Sequence, residues 1–592
     1  MFGLDNMLRL GFGPGRARSQ LVLRGLASSP PGSNERRIPS MPGGSEAGFP
    51  DFVEHWTPQV FKAVGGGLIL GTMATSAMAG PVPGAMLGAV TALYWKVGLD
   101  DMRQTSQTIR RNFPVLGNAR YVLESLRPEI RQYFVESETE AMPFDRPHRS
   151  LAYQRAKNSI DTQPFGTKRD VYAEGYEFVT HSMWPKVATE EDSRVIVGGD
   201  ECRQPYSASR LNISAMSYGA LSDNAILALN TGARKGNFYH NTGEGGISRF
   251  HLDPGADVVW NIGTGYFGCG QGSTHREFDP VMFRDNATRP TVKMIEIKLS
   301  QGAKPAHGGL LPMAKITPMI AEARGLEYPA TADCNSPPNH SAFSNSTELC
   351  HFIARLREGS DGKPIGIKIC VGKPEEFSEL LQAMLQTNIS PDFITIDGAE
   401  GGTGAAPAEF TNSVGMPMHE GLTLAHSMMV GAGIRHKIKL IAAGKVLTGF
   451  SMVKTIALGA DIMNSARAMM FALGCIQALK CNTNKCPTGI TTQDPVLMSG
   501  LVVPDKAERV YRFHKKTLHA ALEITGALGY NNPGDIKATD VIRRTPAGLR
   551  TFEEIYSHVG VEPGALLKGR GPHRLQLAWD LDDGFVQTSY VT

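Results

Sequence analysis

The chain has almost no net charge: 60 Lys and Arg stand against 57 Asp and Glu over 592 residues, a formal balance of +3. So even a balance gives no electrostatic basis for nucleic-acid binding, and no nucleic-acid partner is expected. Cysteine is scarce as well, with eight residues, which excludes a disulfide-dense secreted scaffold and makes their distribution more informative than their number. Apolar residues at 41% and charged ones at 20% are too apolar for a disordered chain. What is abundant is glycine, 65 residues beside 37 prolines, which implies tight turns or close approach of backbone to a ligand. The length allows about four domains at roughly 150 residues each, fewer if one is a large barrel.

Two further absences mark the N-terminal region. From Met7 to Asn34 there is no acidic residue, while Arg9, Arg16, Arg18 and Arg24 alternate with Leu, Ser, Gly and Ala. That is the composition of an organelle transit peptide, mitochondrial or another, or of a disordered basic tail. Residues 29–44 read as linker, so 1–44 form a targeting or disordered segment. From Ala63 to Trp95 no charged residue occurs, and roughly 20 apolar residues suffice to cross a bilayer. Residues 60–98 are therefore expected to attach the chain to a membrane, as one span or as a hairpin turning at Pro81-Val82-Pro83-Gly84; a soluble buried hairpin is the alternative. Trp95 and Lys96 close the segment as an interfacial anchor would, and Gly67-Leu-Ile-Leu-Gly71 would permit close helix packing. Residues 99–190 then read as a helical arm, with Tyr121, Leu123, Leu126, Ile130 and Tyr133 among Arg and Glu and Pro128 interrupting.

The body alternates strands and helices. Ile365–Ile369, Phe393–Ile396, Ile438–Ala443, Asn212–Met216 and Met294–Leu299 are strand candidates, and Asp461–Met463 begins another. A helix follows Pro374, carrying Phe377, Leu380, Leu381 and Met384 at helical spacing. Another carries Leu349, Phe352, Ile353 and Leu356 up to Gly359, and 447–458 is helical. Such units over some 300 residues imply an α/β fold, one (β/α)8 barrel within 191–500, followed by a helical extension at 501–592.

The glycine clusters fall just after strands, where barrel active sites lie. They are Asn241-Thr-Gly-Glu244-Gly-Gly246, Gln301-Gly-Ala-Lys304-Pro-Ala-His-Gly-Gly309, Asp397-Gly-Ala-Glu-Gly-Gly-Thr-Gly404 and Ala443-Gly444-Lys445. Each alone could be only a turn; together they form a rim where backbone N–H groups approach a phosphorylated cofactor. Lys298 and Lys304 supply positive charge for a carboxylate or a reduced flavin, or are solvated. Glu244, between glycines, is read as facing the site. Gly263-Thr-Gly265-Tyr-Phe-Gly268 matches a dinucleotide fingerprint, but residues 271–290 show no helical period, and a dinucleotide site needs a helix there. Cys475, Cys481 and Cys486, followed by Pro487, are spaced more like iron-sulfur than zinc ligands, and three without a fourth suggest a three-iron cluster. Incidental cysteines with one structural pair are the other reading.

Met216-Ser-Tyr-Gly219, the Asn-Thr-Gly-Glu-Gly-Gly run at 241–246, Gln301-Gly-Ala-Lys304-Pro with Gly308-Gly309, the Gly-Gly-Thr-Gly-Ala run at 401–405, and Leu473-Gly-Cys475 through Cys486-Pro-Thr-Gly489 occur in one order. Over about 200–500 the chain resembles the FMN-binding synthase domain of glutamate synthase. Asn112-Phe-Pro-Val-Leu-Gly117, Gln132-Tyr133 and Gln154-Arg-Ala-Lys157 resemble its stand-alone, often membrane-attached branch. The resemblance implies FMN at the C-terminal face of the barrel and a [3Fe-4S] cluster on Cys475, Cys481 and Cys486. It implies reduction of 2-iminoglutarate, formed from 2-oxoglutarate and ammonia, to L-glutamate, with electrons from a donor such as ferredoxin or a reductase subunit.

By motif position, the resemblance assigns Met216, Ser217, Lys298, Gln301, Lys368, Gly401 and Gly402 to the flavin, and Gly444, Ser465 and Ala466 to its phosphate end. It assigns Glu244, Lys304 and Arg324 to the substrate, with Glu244 and Lys304 catalytic. An Arg and a Lys suit a dicarboxylate, which needs two cationic anchors. Two departures stand out. Glu-Gly-Gly-Gln-Leu-Pro is the family's usual run, and here it is His307-Gly308-Gly309-Leu310-Leu311-Pro312, so an amide gives way to an apolar side chain. The phosphate end reads Asn464-Ser-Ala-Arg467 in place of glycines. The glutaminase domain of the full-length enzyme has no room before residue 200, so ammonia or an amine is expected from solvent or a partner. Leu310 keeps open an N-methylglutamate synthase-like activity with methylamine. A membrane-tethered electron-transfer subunit without turnover is a third possibility. Oxidation of a 2-hydroxy acid needs a His base beside an Arg, and Arg435-His436 precedes a strand instead of following one.

Overall fold

The structure is a computed structural model that describes residues 55–191, 193–271, 276–556 and 558–580. The 1–44 targeting segment lies outside the described residues. The chain forms two compact units, one ending at Ser137 and one starting at Glu138.

The first unit is built on a helical hairpin, α1 (Pro58–Ala79) and α2 (Pro81–Arg103). Thr57 caps α1, its hydroxyl accepting from Val60 N at 3.3 Å. Gly80, at φ +94°, makes the turn. Pro81 opens α2 at its first position, where its missing N–H costs nothing, so the chain reverses just before the expected Pro-Val-Pro-Gly break. The helices touch through small residues other than the expected pair. A Cβ on Gly65, Gly84 or Gly98 would stand 2.6, 1.9 and 2.2 Å from Trp95, Ser76 and Phe61, whereas one on Gly67 would meet nothing within 4 Å and one on Gly71 would only reach Leu87 at 4.0 Å. The Thr72 and Thr91 hydroxyls meet at 3.0 Å. Leu70, Met73, Met78, Val82, Met86, Val90 and Leu93 are left exposed. Both helices are long and apolar enough to cross a membrane. Helix Gly117–Ile130 follows and runs through Pro128. A π-helical turn, Arg131–Val135, follows it.

The second unit is a closed barrel of eight parallel strands surrounded by helices: β1 (Leu211–Ile213), β2 (His240–Asn241), β3 (Val258–Ile262), β4 (Val292–Lys298), β5 (Ile365–Ile369), β6 (Phe393–Asp397), β7 (Lys439–Ala443) and β8 (Ile462–Ser465), with β8 pairing back to β1. Alternation along each strand divides the core. Ile295 and Ile297 point out to the helices, while Met294 points inward to Tyr239, Val259, Phe393, Ile441 and Ile462. The antiparallel hairpin 195–197/206–208 closes this inner cluster through Val195, Val197, Tyr206 and Ala208. One layer higher the interior is polar: Glu296 accepts from Asn241 at 2.9 Å, Asn261 at 2.6 Å and Thr395 at 2.7 Å. Three donors are what keep a buried carboxylate soluble in such a core.

Around the barrel, helix Arg146–Lys157 ends at Asn158 in a left-handed conformation. Between it and 190, strand Glu177–Val179 is the one regular element. The 25-residue helix Val503–Ala527 packs on helices 146–157, 223–236 and 449–457. The extension after 500 is therefore only partly helical, because the hairpin 541–545/548–551 pairs antiparallel with 177–179. Glu177 joins these pieces by ion pairs to Lys454 at 2.9 Å and Arg543 at 2.8 Å.

Candidate functional site

The glycine-rich segments converge on the C-terminal end of the barrel. After β2, the chain turns at Gly243, where φ is +65° and a Cβ would lie 2.6 Å from Ser217 N, so only glycine fits. The turn presents Glu244 to Lys298 at the end of β4, 2.9 Å away. Lys298 Nζ also donates to Gln301 Oε1 at 2.7 Å. Gly309 lies against the same carboxylate, since a Cβ there would reach 2.9 Å from Glu244 Oε1. The residue beside it, Leu310, is 41% exposed.

Lys304 and Arg324 are each 4% exposed and face this carboxylate. Burial pushes the Glu244 carboxyl up, but Lys298, Lys304 and Arg324 together hold it below the usual range, so it is ionised. Burial lowers Lys304 and Glu244 only partly offsets this. Lys304 Nζ has no hydrogen-bond or ion-pair partner among the described residues. Arg324 Nη2 donates to Tyr218 O at 3.0 Å and its Nε is buried without a partner. Three cations thus surround one carboxylate, an excess of positive charge suited to an acidic ligand.

Beside this cluster lies a cleft lined by Ser214, Lys368, Gly402, Gly444, Lys445 and Arg467, with Gly401, Ser465 and Ala466 also on its wall. Lys368 is buried but paired with Asp397 at 3.2 Å. Burial pulls it down, and Asp397, Glu296 and Glu244 outweigh that, so its ammonium is held above the usual lysine range. The opposite end carries Lys445 and Arg467. Both are lowered by burial, and Arg467 further depresses Lys445. Arg467 is bonded to Glu400 O and lies over the Phe144 ring. Neither forms an ion pair among the described residues. Asp397 and Glu400 partly offset the burial of Arg467, and Glu400 that of Lys445; two adjacent cations with no ion pair of their own, beside glycines that leave backbone accessible, fit a phosphate.

Of the residues expected at the flavin, Lys368, Gly401, Gly402, Gly444, Ser465 and Ala466 line this cleft. Ser465 Oγ is spent on Val446 O at 2.6 Å. Met216 and Ser217 pack by their backbone on Gly243, beyond a strand β1 that ends at Ile213 instead of Met216. Lys298 and Gln301 belong to the Glu244 cluster. Lys445 and Arg467 are not among the expected site residues; the signal for them is a cation two residues after each of the last two strand ends. Among the described residues after the 263–268 glycines, the first helix begins at Pro280. Their Tyr266, at φ +45°, aims its hydroxyl at His340 Nδ1 (2.9 Å), whose Nε2 lies 2.9 Å from Lys298 O. Burial drops His340 to about 4, so it is neutral and donates to that carbonyl, bracing the end of β4.

Cys475, Cys481 and Cys486 share the loop after helix Arg467–Leu473. Burial raises the Cys475 thiol to about 11. At Cys486, burial also pushes upward, but hydrogen bonds from Thr488 and Thr491 prevail and bring it to about 7. Tyr153 fixes Cys475 O at 2.6 Å, and Lys315 fixes Cys481 O at 2.8 Å. Among the described residues no three His, Cys, Asp or Glu side chains form a group able to hold a metal ion. The three thiols are thus loop neighbours and not an assembled ligand set.

Residues 169–531 match the family model described as the conserved region in glutamate synthase. A Bacillus subtilis protein named glutamate synthase large subunit-like protein YerD is 35% identical over 497 residues, 77% of this chain and 93% of that one. The archaeal-type glutamate synthase [NADPH] of Thermotoga neapolitana is 31% identical over 351 residues, 59% of this chain and 64% of that one. The archaeal glutamate synthase [NADPH] of Methanocaldococcus jannaschii is 34% identical over 322 residues, 54% of this chain and 59% of that one.

Proposed function

The chain belongs to the glutamate synthase family, and from that premise we propose that it is an FMN oxidoreductase that reduces the imine of 2-oxoglutarate and ammonia to L-glutamate. One observation carries the reading: Glu244, Lys298, Lys304 and Arg324 converge at the strand ends beside a glycine-lined cleft that closes on Lys445 and Arg467. The overall change is 2-oxoglutarate plus ammonia, two electrons and two protons to glutamate and water. When bound, FMN supplies the hydride that reaches the imine carbon.

The residues of the chain divide the remaining work. Lys445 and Arg467 would hold the phosphate, and Lys368, kept charged by Asp397, would supply a fixed cation to the flavin. Arg324 and Lys304 take the substrate carboxylates, the Arg324 Nε left free by the protein being one donor available to them. Glu244, ionised among these cations, accepts a hydrogen bond from ammonia and orients its lone pair toward the keto carbon. Lys304, made more acidic by burial, gives a proton to the imine nitrogen as hydride arrives. His340 and Tyr266 keep Lys298 in register with Glu244.

The spacing of Cys475, Cys481 and Cys486 supports a [3Fe-4S] cluster that would relay electrons from ferredoxin or a reductase subunit, the thiols closing in when iron binds. The exposed apolar faces of α1 and α2 support a membrane-anchored protein.

Anaerobic turnover of 2-oxoglutarate with ammonium, driven by dithionite or reduced ferredoxin, tests the activity. Glutamate as the product bears the reading out. Leu310, next to Gly309 on the Glu244 carboxylate, favours methylamine as a second amine. Faster turnover with methylamine, yielding N-methylglutamate, would move the assignment there, and no amino acid from either amine would leave an electron-transfer role.

A further inference from the structure

The open end of the apolar hairpin is tied to the segment that follows it by one buried carboxylate. Asp101, wholly shielded from solvent, pairs with Arg110 Nη2 at 2.6 Å and accepts from Arg110 Nε at 2.7 Å, Val115 N at 2.9 Å and Asn118 Nδ2 at 2.5 Å. A charge so buried is stable only when paired and hydrogen-bonded in this way. The last turn of α2, the turn Thr108–Asn112 and the start of helix Gly117–Ile130 therefore behave as one elbow. Trp56, just before α1, donates its indole N–H to Pro114 O on the same elbow at 2.7 Å.

The helix leaving this elbow does not bury its apolar side. Val122, Leu123, Leu126 and Ile130, then Tyr133, Phe134 and Val135 on the π turn, are between 43% and 86% exposed. Leu123, Leu126, Ile130 and Tyr133 recur at intervals of three and four, so they form one stripe. The charge beside the stripe has one sign where it adjoins the hairpin. From 102 to 123 the only charged residues are Arg103, Arg110, Arg111 and Arg120. Arg103, Arg111 and Arg120 are exposed and form no ion pair among the described residues.

We infer that Gly117–Val135 is an interfacial segment that lies in the plane of an anionic bilayer surface, its apolar stripe sunk between headgroups, with Arg103 and Arg111 just before it and Arg120 within it on lipid phosphates, while Arg127 and Arg131 stay paired with Glu124 and Glu136. The inference rests on the reading of α1 and α2 as membrane-embedded and adds a second, surface-lying contact to it. An in-plane amphipathic helix of this kind seats its apolar side just below the headgroups, and juxtamembrane arginines bind anionic lipid. The Asp101 elbow sets the angle between embedded and surface-lying helices, which a flexible linker would leave open.

The full chain carrying Phe134→Trp, reconstituted in phosphatidylcholine vesicles containing phosphatidylglycerol, tests this by fluorescence quenching with lipids brominated near the headgroup or near the chain end. The added tryptophan signal, taken as the difference from the protein with its five native tryptophans, should be quenched strongly by the shallow bromines and weakly by the deep ones. It should become less quenched when Arg111→Gln and Arg120→Gln are added or phosphatidylglycerol is omitted. If the native signal is quenched but the added one is not, the hairpin reading stands and the interfacial segment is overturned. If neither is quenched, both fall together. Quenching insensitive to the arginines and to phosphatidylglycerol would overturn the anionic-surface assignment.

Discussion

Glu244 and Lys298 meet at 2.9 Å across the C-terminal ends of β2 and β4, and the remaining charged groups of the site are arranged around that pair. Lys304 and Arg324 add positive charge, so the carboxylate stays ionised despite its burial. A dicarboxylate entering this cluster meets two cations that the protein leaves incompletely satisfied.

Lys304→Ala should lower kcat by about 10²–10⁴-fold, the usual contribution of a positioned acid. Burial puts Lys304 below the ordinary lysine range near ~10.4. Because the protonated form is the active one, the wild-type rate should fall as pH rises through that lowered value. A pH–rate profile of wild type and variant checks both points: the basic limb should be absent from whatever rate the variant retains.

Arg467→Ala should weaken FMN binding by roughly 10–100-fold, the effect of losing one charge-assisted phosphate contact of about 1.5–3 kcal/mol. Lys445→Ala should act in the same direction. Flavin fluorescence on reconstitution of the apoprotein measures it, and riboflavin, lacking the phosphate, should show no difference between wild type and variants.

Gly302→Ala should disrupt the site without touching a charged group. A Cβ at 302 would stand 1.6 Å from Gly398 O, so the loops after β4 and β6 must part. The expected outcome is loss of bound flavin with the barrel's far-ultraviolet circular dichroism retained.

Cys481→Ala should remove iron. Anaerobically purified wild type should carry about three irons per chain, with the paramagnetic signal of an oxidised three-iron cluster. The variant should lack both while still binding FMN. Wild type devoid of iron after anaerobic purification and reconstitution would remove the cluster from the account.

Glu177→Gln should destabilise the second unit by about 1–3 kcal/mol, since Lys454 and Arg543 lose a shared, largely buried partner. Burial raises the Glu177 carboxyl, but the two cations together hold it low. Its contribution is therefore fully present above the ordinary glutamate value of ~4.3 and is lost as pH falls through the depressed one. Urea denaturation of both proteins across this range should show the gap closing in acid.

The strands with strong alternation were legible in the sequence: β5 runs over Ile365–Ile369 as expected, because isoleucines alternate with Gly366 and Lys368. The two-residue β2 was not, since His240–Asn241 has no periodicity to detect. Nor was the hairpin at 541–551, whose partner, 177–179, lies more than 350 residues upstream. Pro128 reads as a break, yet helix 117–130 runs through it and is followed by a π turn. At the site, the glycines marked the rim because backbone approach needs them. Lys445 and Arg467 each stand two residues beyond a strand end, a signal that gained meaning only when β7 and β8 came side by side. The cysteine spacing was plain, but spacing fixes neighbours along the loop and not the distances between sulfurs.

The measurement that bears most directly on the account is an anaerobic titration of the purified flavoprotein with 2-oxoglutarate, followed by the flavin absorbance spectrum. The account predicts bound FMN whose spectrum shifts saturably, with the shift abolished in Arg324→Ala and in Lys304→Ala. A protein that purifies without flavin and takes up none, or a flavin spectrum indifferent to 2-oxoglutarate, would contradict it.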